Sequence, residues 1–333
     1  MAEALVDTYG RVHRDLRISV TDRCNFRCTY CMPAEGMDWL PRSQVLTFEE
    51  IERIARVCVE RFGVDSIRLT GGEPTVRAHL PVLVGKVAAL RTDDGRPVDL
   101  ALTTNGATLR SVAADLLEAG LRRVNVSLDT LRRDRFVTLT RRDELDHVLE
   151  GIEAAVDAGL DPVKLNVVVM RGVNDDEVVD LAEFGRERGV TVRFIEWMPL
   201  DADQQWQSGA VVSQAEIVAA IDAVHPIDPV ARGHQPAERF VYRDGAGEVG
   251  VIPSVTRPFC DSCDRIRLTA EGQLRSCLFA VDEVDLRALV RGSATDDELA
   301  DAVRRCVAGK WAGHMIGQVT FVRPRRSMSQ IGG

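Results

Sequence analysis

Three cysteines fall on one short stretch, Cys24-Asn25-Phe26-Arg27-Cys28-Thr29-Tyr30-Cys31, a C-x-x-x-C-x-x-C spacing with an aromatic residue before the last thiol. The run before them, Leu16-Arg17-Ile18-Ser19-Val20, alternates like a strand, which puts the thiols on a loop leaving a sheet. Iron–sulfur cubanes are normally held by four cysteines. With three on the loop, one iron would stay open to bind and activate something else, by the logic of catalytic metal sites that keep a free position. A zinc ion or a disulfide is the alternative, but zinc prefers four ligands and no histidine or fourth cysteine lies close in sequence. A second trio follows far downstream, Cys260-Asp261-Ser262-Cys263 and then Cys277. It too lacks an obvious fourth ligand, and on spacing alone a zinc knuckle borrowing a distant ligand stays open.

Other residues extend the chemistry. Ser66-Ile67-Arg68-Leu69-Thr70-Gly71-Gly72-Glu73-Pro74 ends a strand in a glycine pair, where backbone can approach a ligand closely and Glu73 could meet a cationic amine. Arg265-Ile266-Arg267-Leu268 alternates, so both arginines share one face of a strand leaving the second cysteine pair. Cys58 and Cys306 fall on apolar helical stripes and read as core.

The elements that must position these groups alternate in type up to about residue 200. Strands are expected at 16–20, 66–70, 99–104, 123–128, 163–170 and 191–197, and helices at roughly 47–62, 78–91, 108–119, 142–158 and 174–188. Thr47-x-x-Glu50 and Asn174-x-x-Glu177 carry N-terminal capping signals, and Ala119-Gly120 and Ala158-Gly159 read as helix ends. Such alternation implies parallel strands with right-handed crossovers, in an incomplete barrel or a doubly wound sheet. One strand parity carries polar groups in strand after strand: Arg17 and Ser19, Arg68 and Thr70, Thr103, Asn125 and Ser127, Lys164 and Asn166. Unpaired buried cations are strongly disfavoured, so an interior lined this way is expected to be wet or filled by an anionic ligand.

From about residue 201 the texture changes. A polar stretch, 201–205, is followed by a helix opened by Ser213-x-x-Glu216, a hairpin from Arg239 to Ile252 around Asp244-Gly245-Ala246-Gly247, and a last helix opened by Thr295-x-x-Glu298. The chain closes on Arg323-Pro324-Arg325-Arg326 and Gly332-Gly333.

At 333 residues the chain is long enough for one large domain or a domain and a smaller partner. The formal charge of −9 argues against general binding to nucleic acid or anionic membranes. No signal peptide or membrane-length apolar run is evident, so a cytoplasmic location is expected, where clustered cysteines bind metal more often than they pair.

The first cysteine spacing, with its aromatic and preceding strand, resembles the radical S-adenosylmethionine (SAM) superfamily. Leu16 to Cys24, Arg68 to Pro74, Thr103-Thr104-Asn105-Gly106, Asn125-Val126-Ser127-Leu128-Asp129, Arg193-Phe194-Ile195-Glu196, Phe259-Cys260-x-x-Cys263-x-Arg265-x-Arg267 and the terminal Gly-Gly resemble, almost end to end, the GTP 3′,8-cyclases of molybdenum cofactor biosynthesis. The resemblance implies an α/β fold: a partial (β/α)6 TIM-like barrel over 1–200, and a smaller C-terminal domain over 201–333 that carries an auxiliary iron–sulfur cluster. It implies two 4Fe–4S clusters, held by Cys24, Cys28 and Cys31 and by Cys260, Cys263 and Cys277, with SAM on the open iron of the first. SAM contacts would be Tyr30, Gly72, Ser127 and Met198, and GTP contacts Arg17, Arg68, Thr103, Lys164, Arg265, Ile266 and Arg267. The tail Gly332-Gly333 would reach the active site, with Arg323, Arg325 and Arg326 anchoring it near the phosphates. The activity implied is that of a lyase: a SAM-derived 5′-deoxyadenosyl radical takes the 3′ hydrogen of GTP, and the sugar radical closes onto C8 of guanine. An electron donor, a downstream pterin-synthase enzyme and a homodimer are the partners implied. The rival expectations are a radical SAM enzyme that modifies peptides, and a metal-binding module without enzymatic activity.

Overall fold

The computed structural model describes residues 2–201, 205–231, 233, 235–324 and 326–332. Six parallel strands stand side by side in sequence order: β1 (Asp15–Ser19), β2 (Ser66–Thr70), β3 (Asp99–Thr104), β4 (Arg123–Ser127), β5 (Val163–Val169) and β6 (Thr191–Glu196). Consecutive neighbours without a reversal are the order of a barrel wall, whereas a doubly wound sheet switches direction near its middle. The crossovers carry α1 (Phe48–Phe62), α2 (Leu80–Ala88), α3 (Ala113–Glu118), α4 (Arg133–Thr140), α5 (Leu145–Asp157) and α6 (Val178–Arg188).

The wall does not close on itself. After α7 (Gln214–Asp222), β7 (Ile227–Pro229), β8 (Glu238–Tyr242) and β9 (Glu248–Ile252) follow; β9 lies parallel to β6 and continues antiparallel into β8 and β7. At the other edge β10 (Arg265–Leu268) lies parallel to β1, and β11 (Gln273–Arg275) and β12 (Val284–Asp285) follow antiparallel. The result is one 12-stranded mixed sheet to which the C-terminal third contributes both flanks. Helices α8 (Leu286–Arg291) and α9 (Asp296–Ala308) pack beside α1, and α10 (Met328–Ile331) ends the described chain.

Strand parity explains the packing. Leu16, Ile18, Ile67, Leu69, Leu102, Val124, Val126 and Leu165 are sealed in the helix-side core, each contributing roughly 1.5–3 kcal/mol by burial. The polar parity faces the concave side. Thr47 and Glu50 form the expected reciprocal cap on α1, and Ser213 with Glu216 and Thr295 with Glu298 do the same on α7 and α9. Asn174 does not cap a helix. Its amide donates to the carbonyls of Asp129 and Val168 at 2.8 and 2.9 Å and accepts from the Met170 amide at 2.8 Å, tying the ends of β4 and β5 together. Its intended partner Glu177 instead accepts from the Thr130 hydroxyl and the Leu131 amide, so α6 begins only at Val178.

Sequence periodicity does not reveal α4. Arg132 to Arg142 is mostly charged and its buried side is carried by Phe136, Leu139 and Thr140, which is too little for an apolar stripe. This helix has a direct part in the site.

Candidate active site

The cysteine loop follows β1 and is shaped by the end of α4. The Arg27 and Thr29 amides donate to the carbonyls of Thr140 and Leu139 at 3.0 and 2.9 Å. Arg141, which leaves α4 with a left-handed φ of 55°, turns its guanidinium onto the carbonyls of Arg27 and Met32 at 3.0 and 3.1 Å. Arg142 reaches the Asn25 carbonyl at 3.1 Å, and Phe26 packs edge-on against Phe136 with centroids 5.8 Å apart. Cys24, Cys28 and Cys31 are therefore held on one fixed, partly buried turn.

Burial pushes the Cys24 thiol up to about 11 and the Cys31 thiol to about 12, and with help from Cys31, Asp129 and Cys24 it raises the Cys28 thiol well above its ordinary value. Three mutually repelling thiols in a desolvated turn ionise readily only against strong positive charge, such as iron supplies. Among the described residues no three His, Cys, Asp or Glu groups are drawn tight enough to hold one metal ion. The thiols of each trio lie near enough to act on one another's charge, and three thiols with no fourth are the donor set that fits a cubane with one open iron, each thiolate on a separate iron. In the second trio, burial raises Cys260, whereas Arg265 and Lys310 outweigh burial at Cys263 and bring its thiol down to about 7.

The other residues of this end divide between site and scaffold. Gly72 runs against the loop backbone: a Cβ there would lie 2.4 Å from the Arg23 carbonyl oxygen, so only glycine fits. The Glu73 carboxylate accepts from the Thr75 amide and hydroxyl, the Thr104 hydroxyl and the Asn105 amide at 3.0, 2.5, 2.6 and 2.6 Å. Oε1 takes three of these donors and Oε2 one, so the buried carboxylate braces the segment after β2 to the end of β3 and keeps an acceptor position on Oε2. Tyr30 donates its hydroxyl to Asp129 at 2.5 Å, and burial raises the Asp129 carboxyl to about 6. Ser127, at the end of β4, and Met198, after β6, are both half-buried.

The concave face carries the cations. Arg267 on β10, Arg17 on β1 and Arg68 on β2 are direct neighbours across the sheet. Thr103, Asn125 and Lys164 form a second row, and Asn166 lies opposite Arg193. Burial lowers Arg17 to about 9, Arg68 and Arg193 to about 10 and Lys164 to about 8, each also pressed by neighbouring cations. The Nε atoms of Arg17, Arg68 and Arg193 are buried and have no hydrogen-bond partner among the described residues, and Asp15 stands 3.8 Å from Arg17 Nε. Arg193 is the cation that single-strand parity misses, because it stands in a run with Phe194 and Ile195. Ile266 lies on the opposite parity, fully buried in the helix-side core, so it offers the concave face only backbone.

The tail enters the same space. Gly332 has φ 76°, donates its amide to the Met328 carbonyl at 3.2 Å and accepts from the Arg267 guanidinium. A Cβ on it would lie 2.4 Å from the Thr70 hydroxyl and 3.2 Å from Ser19 Cβ. Arg323 and Arg326 anchor the tail, but through Asp201 and through Glu271 with Glu283, so their charges are spent on carboxylates and not on a phosphate. Gly333 and Arg325 lie outside the described residues, as do residues 202–204 of the polar stretch.

Parallel strands in sequence order, an open polar interior and a three-cysteine loop after the first strand make up the architecture of the radical SAM class. A family model described as Radical SAM superfamily matches residues 18–185, and one described as Molybdenum Cofactor Synthesis C matches 190–316. The chain is 51% identical to the GTP 3′,8-cyclase of Streptomyces coelicolor, over 100% of this chain and 97% of that protein. It is 50% identical to the GTP 3′,8-cyclase of Rhodopirellula baltica, over 99% of this chain and 92% of that protein. Its fold resembles that of Streptococcus suis SuiB bound to S-adenosylmethionine, with a TM-score of 0.61 at 13% identity, covering 95% of this chain and 77% of that one. The chain belongs to the GTP 3′,8-cyclase family.

Proposed function

We propose that this protein is a radical SAM lyase that converts GTP to (8S)-3′,8-cyclo-7,8-dihydroguanosine 5′-triphosphate in molybdenum cofactor biosynthesis. The observation that carries the reading is the bank of under-paired cations on the concave face, reached from the cysteine loop at one end and from the second trio beside β10. When bound, SAM on a 4Fe–4S cluster supplies a hydrogen-abstracting radical, and the second cluster supplies an open iron toward guanine.

Cys24, Cys28 and Cys31 hold the first cluster in this reading, and Cys260, Cys263 and Cys277 the second. Tyr30, the Gly72 backbone, Ser127 and Met198 line the SAM side. Arg17, Arg68, Thr103, Lys164, Arg265 and Arg267, joined by Arg193, take GTP, with the Ile266 backbone between the last two arginines. Guanidinium forks match phosphate oxygens, and the ammonium of Lys164 acts as a compact charge. Residues 1–200 form the radical SAM unit and 201–333 the cluster-bearing second unit, whose strands extend both edges of the sheet. The reading calls for an external electron donor, a pterin-forming enzyme to take the product, and a cytoplasmic setting; no helix among the described residues is long and apolar enough to cross a membrane.

The test is anaerobic turnover of reconstituted protein with SAM, a reductant and GTP. The expected product is an isomer of GTP, because the hydrogen lost from C3′ is balanced by one gained on the reduced imidazole ring as the C3′–C8 bond forms. Release of 5′-deoxyadenosine without any GTP-derived isomer would refute the assignment.

The tail has a role that can be isolated. Gly332→Ala puts a methyl group onto the Thr70 hydroxyl and strains a left-handed φ. Cyclised product should fall severalfold or more, while iron content and the thermal midpoint stay at parent values, since a four-residue terminal helix adds little to the fold. Unchanged turnover would return the tail to a passive terminus.

A further inference from the structure

We propose that Lys310 tunes the second cysteine site: its buried ammonium donates a charged hydrogen bond to the Cys263 sulfur and raises the reduction potential of the cluster that this trio holds. The inference rests on the cysteine assignment made above.

Lys310 follows the C-terminal cap of α9 and is 3% exposed. Its Nζ stands 2.8 Å from His13 Nε2, 2.9 Å from the Arg265 carbonyl oxygen, 3.2 Å from the Cys263 carbonyl oxygen and 3.6 Å from Cys263 Sγ. Three N–H donors are thus fully engaged, and the cation has one orientation. None of the four contacts is a carboxylate. A buried ammonium without a counter-charge is strongly disfavoured; Asp7, 3.7 Å from His13 Nε2, is already paired with Arg11, and a thiolate at Cys263 is the anion in direct contact with the ammonium.

The cage is built for a charged lysine. His13 is fully buried, and its Nδ1 lies 3.4 Å from the Leu5 carbonyl, so the proton belongs on Nδ1 and the Nε2 lone pair faces Lys310. The segment before β1 is locked in place by Arg11, which donates to the carbonyls of Cys260, Trp311 and Ala312 at 2.8, 2.6 and 2.9 Å and pairs with Asp7 at 2.6 Å. Among the described residues no ammonium or guanidinium donates to a sulfur of the first loop. Cys24 Sγ meets the Phe26 amide at 3.4 Å and the Asn105 amide at 4.0 Å, both neutral, and Arg27, whose charge is felt by Cys24, spends its donors on the carbonyls of Cys24 and Phe26. Arg265 also approaches Cys263, but it stands on the concave face, where a bound nucleotide shares its charge. Lys310 is buried and meets Arg265 through the latter's backbone carbonyl.

Reduction adds one electron, and so one negative charge, to a cluster. Lys310 stays an ammonium in both states and no proton moves, so its effect is electrostatic and favours the reduced form. The two clusters of one chain are thereby set at different potentials by a cation that serves only the second.

The experiment is a redox titration followed by electron paramagnetic resonance on anaerobically reconstituted protein, repeated in a Cys24→Ala background so that the remaining signal belongs to the second trio. Lys310→Met, which keeps length and removes charge, should lower the second midpoint, leave the first unchanged and retain second-site iron. His13→Gln, which keeps an acceptor for Lys310, should leave both midpoints in place. An unshifted second midpoint in Lys310→Met overturns the proposal. Where Lys310→Met does not load, Lys310→Gln is read in the same way. Loss of second-site iron in both makes Lys310 a structural anchor and also overturns it. A parent protein that binds only about four irons would instead overturn the cysteine assignment itself.

Discussion

Cys24→Ala is expected to reduce bound iron from about eight to about four per chain and to abolish SAM cleavage. The fold should not follow the metal. The turn is held by backbone and arginine contacts that do not use the thiol: Arg141 on Arg27 and Met32, Arg142 on Asn25, and Phe26 against Phe136. The apo variant should therefore unfold within a degree or two of the apo parent, since substitutions away from core, cap or network features are usually within about 0.5 kcal/mol. Cys260→Ala should cause a different loss: the other four irons go, some SAM cleavage persists, and it is uncoupled from cyclised product. Cys58→Ala is the control, because Cys58 is fully buried in the helix-side core and should affect stability alone. Stoichiometric zinc without iron in the anaerobically purified parent would contradict both this result and the enzyme assignment.

These outcomes separate what the sequence makes legible from what it hides. Spacing alone reveals the first thiol trio, because ligands on a single loop are close in sequence by necessity, whereas Cys277 joins Cys260 and Cys263 only across β10 and β11. Period-two alternation reveals Arg17, Arg68, Thr103 and Lys164 as one face, and the register of β1 to β5 brings them into two rows. Contacts between remote segments leave no such trace. Arg141 and Arg142 look like an exposed charge pair in sequence, yet they clamp a loop more than a hundred residues earlier. Nothing in the spacing around Arg11 and Lys310 singles them out, and only the fold brings both onto the second trio. Glu73 has a second role that its motif does not show, since its carboxylate also accepts from Thr104 and Asn105 at the end of β3. The Asn174 signal failed because its amide found better partners in the strand ends than in the helix behind it.

The interior cations lead to the second large effect, in which stability and binding move in opposite directions. Arg17→Met should weaken GTP binding by roughly 1.5–3 kcal/mol, the usual value of a charged hydrogen bond, or roughly ten- to a hundredfold in affinity. SAM binding should change much less, because Arg17 points to the row formed with Arg68 and Arg267. The free protein should become more stable. Arg17 Nε is buried without a hydrogen-bond partner among the described residues, Asp15 is 3.8 Å away, and two arginines flank it at the same register. Burial lowers its guanidinium to about 9, in keeping with a charge that lacks full pairing in the folded chain. Replacing a strained buried cation with an apolar side chain of similar length is typically neutral or stabilising by on the order of 1–4 kcal/mol. The lower end applies here, because the side chain keeps 14% exposure to the open interior. Thermal unfolding with and without GTP reads both effects at once: the midpoint of the free variant rises, and the further rise on adding nucleotide shrinks. A free variant that unfolds earlier, with its GTP response intact, would mean that Arg17 braces the sheet and that the ligand lies elsewhere.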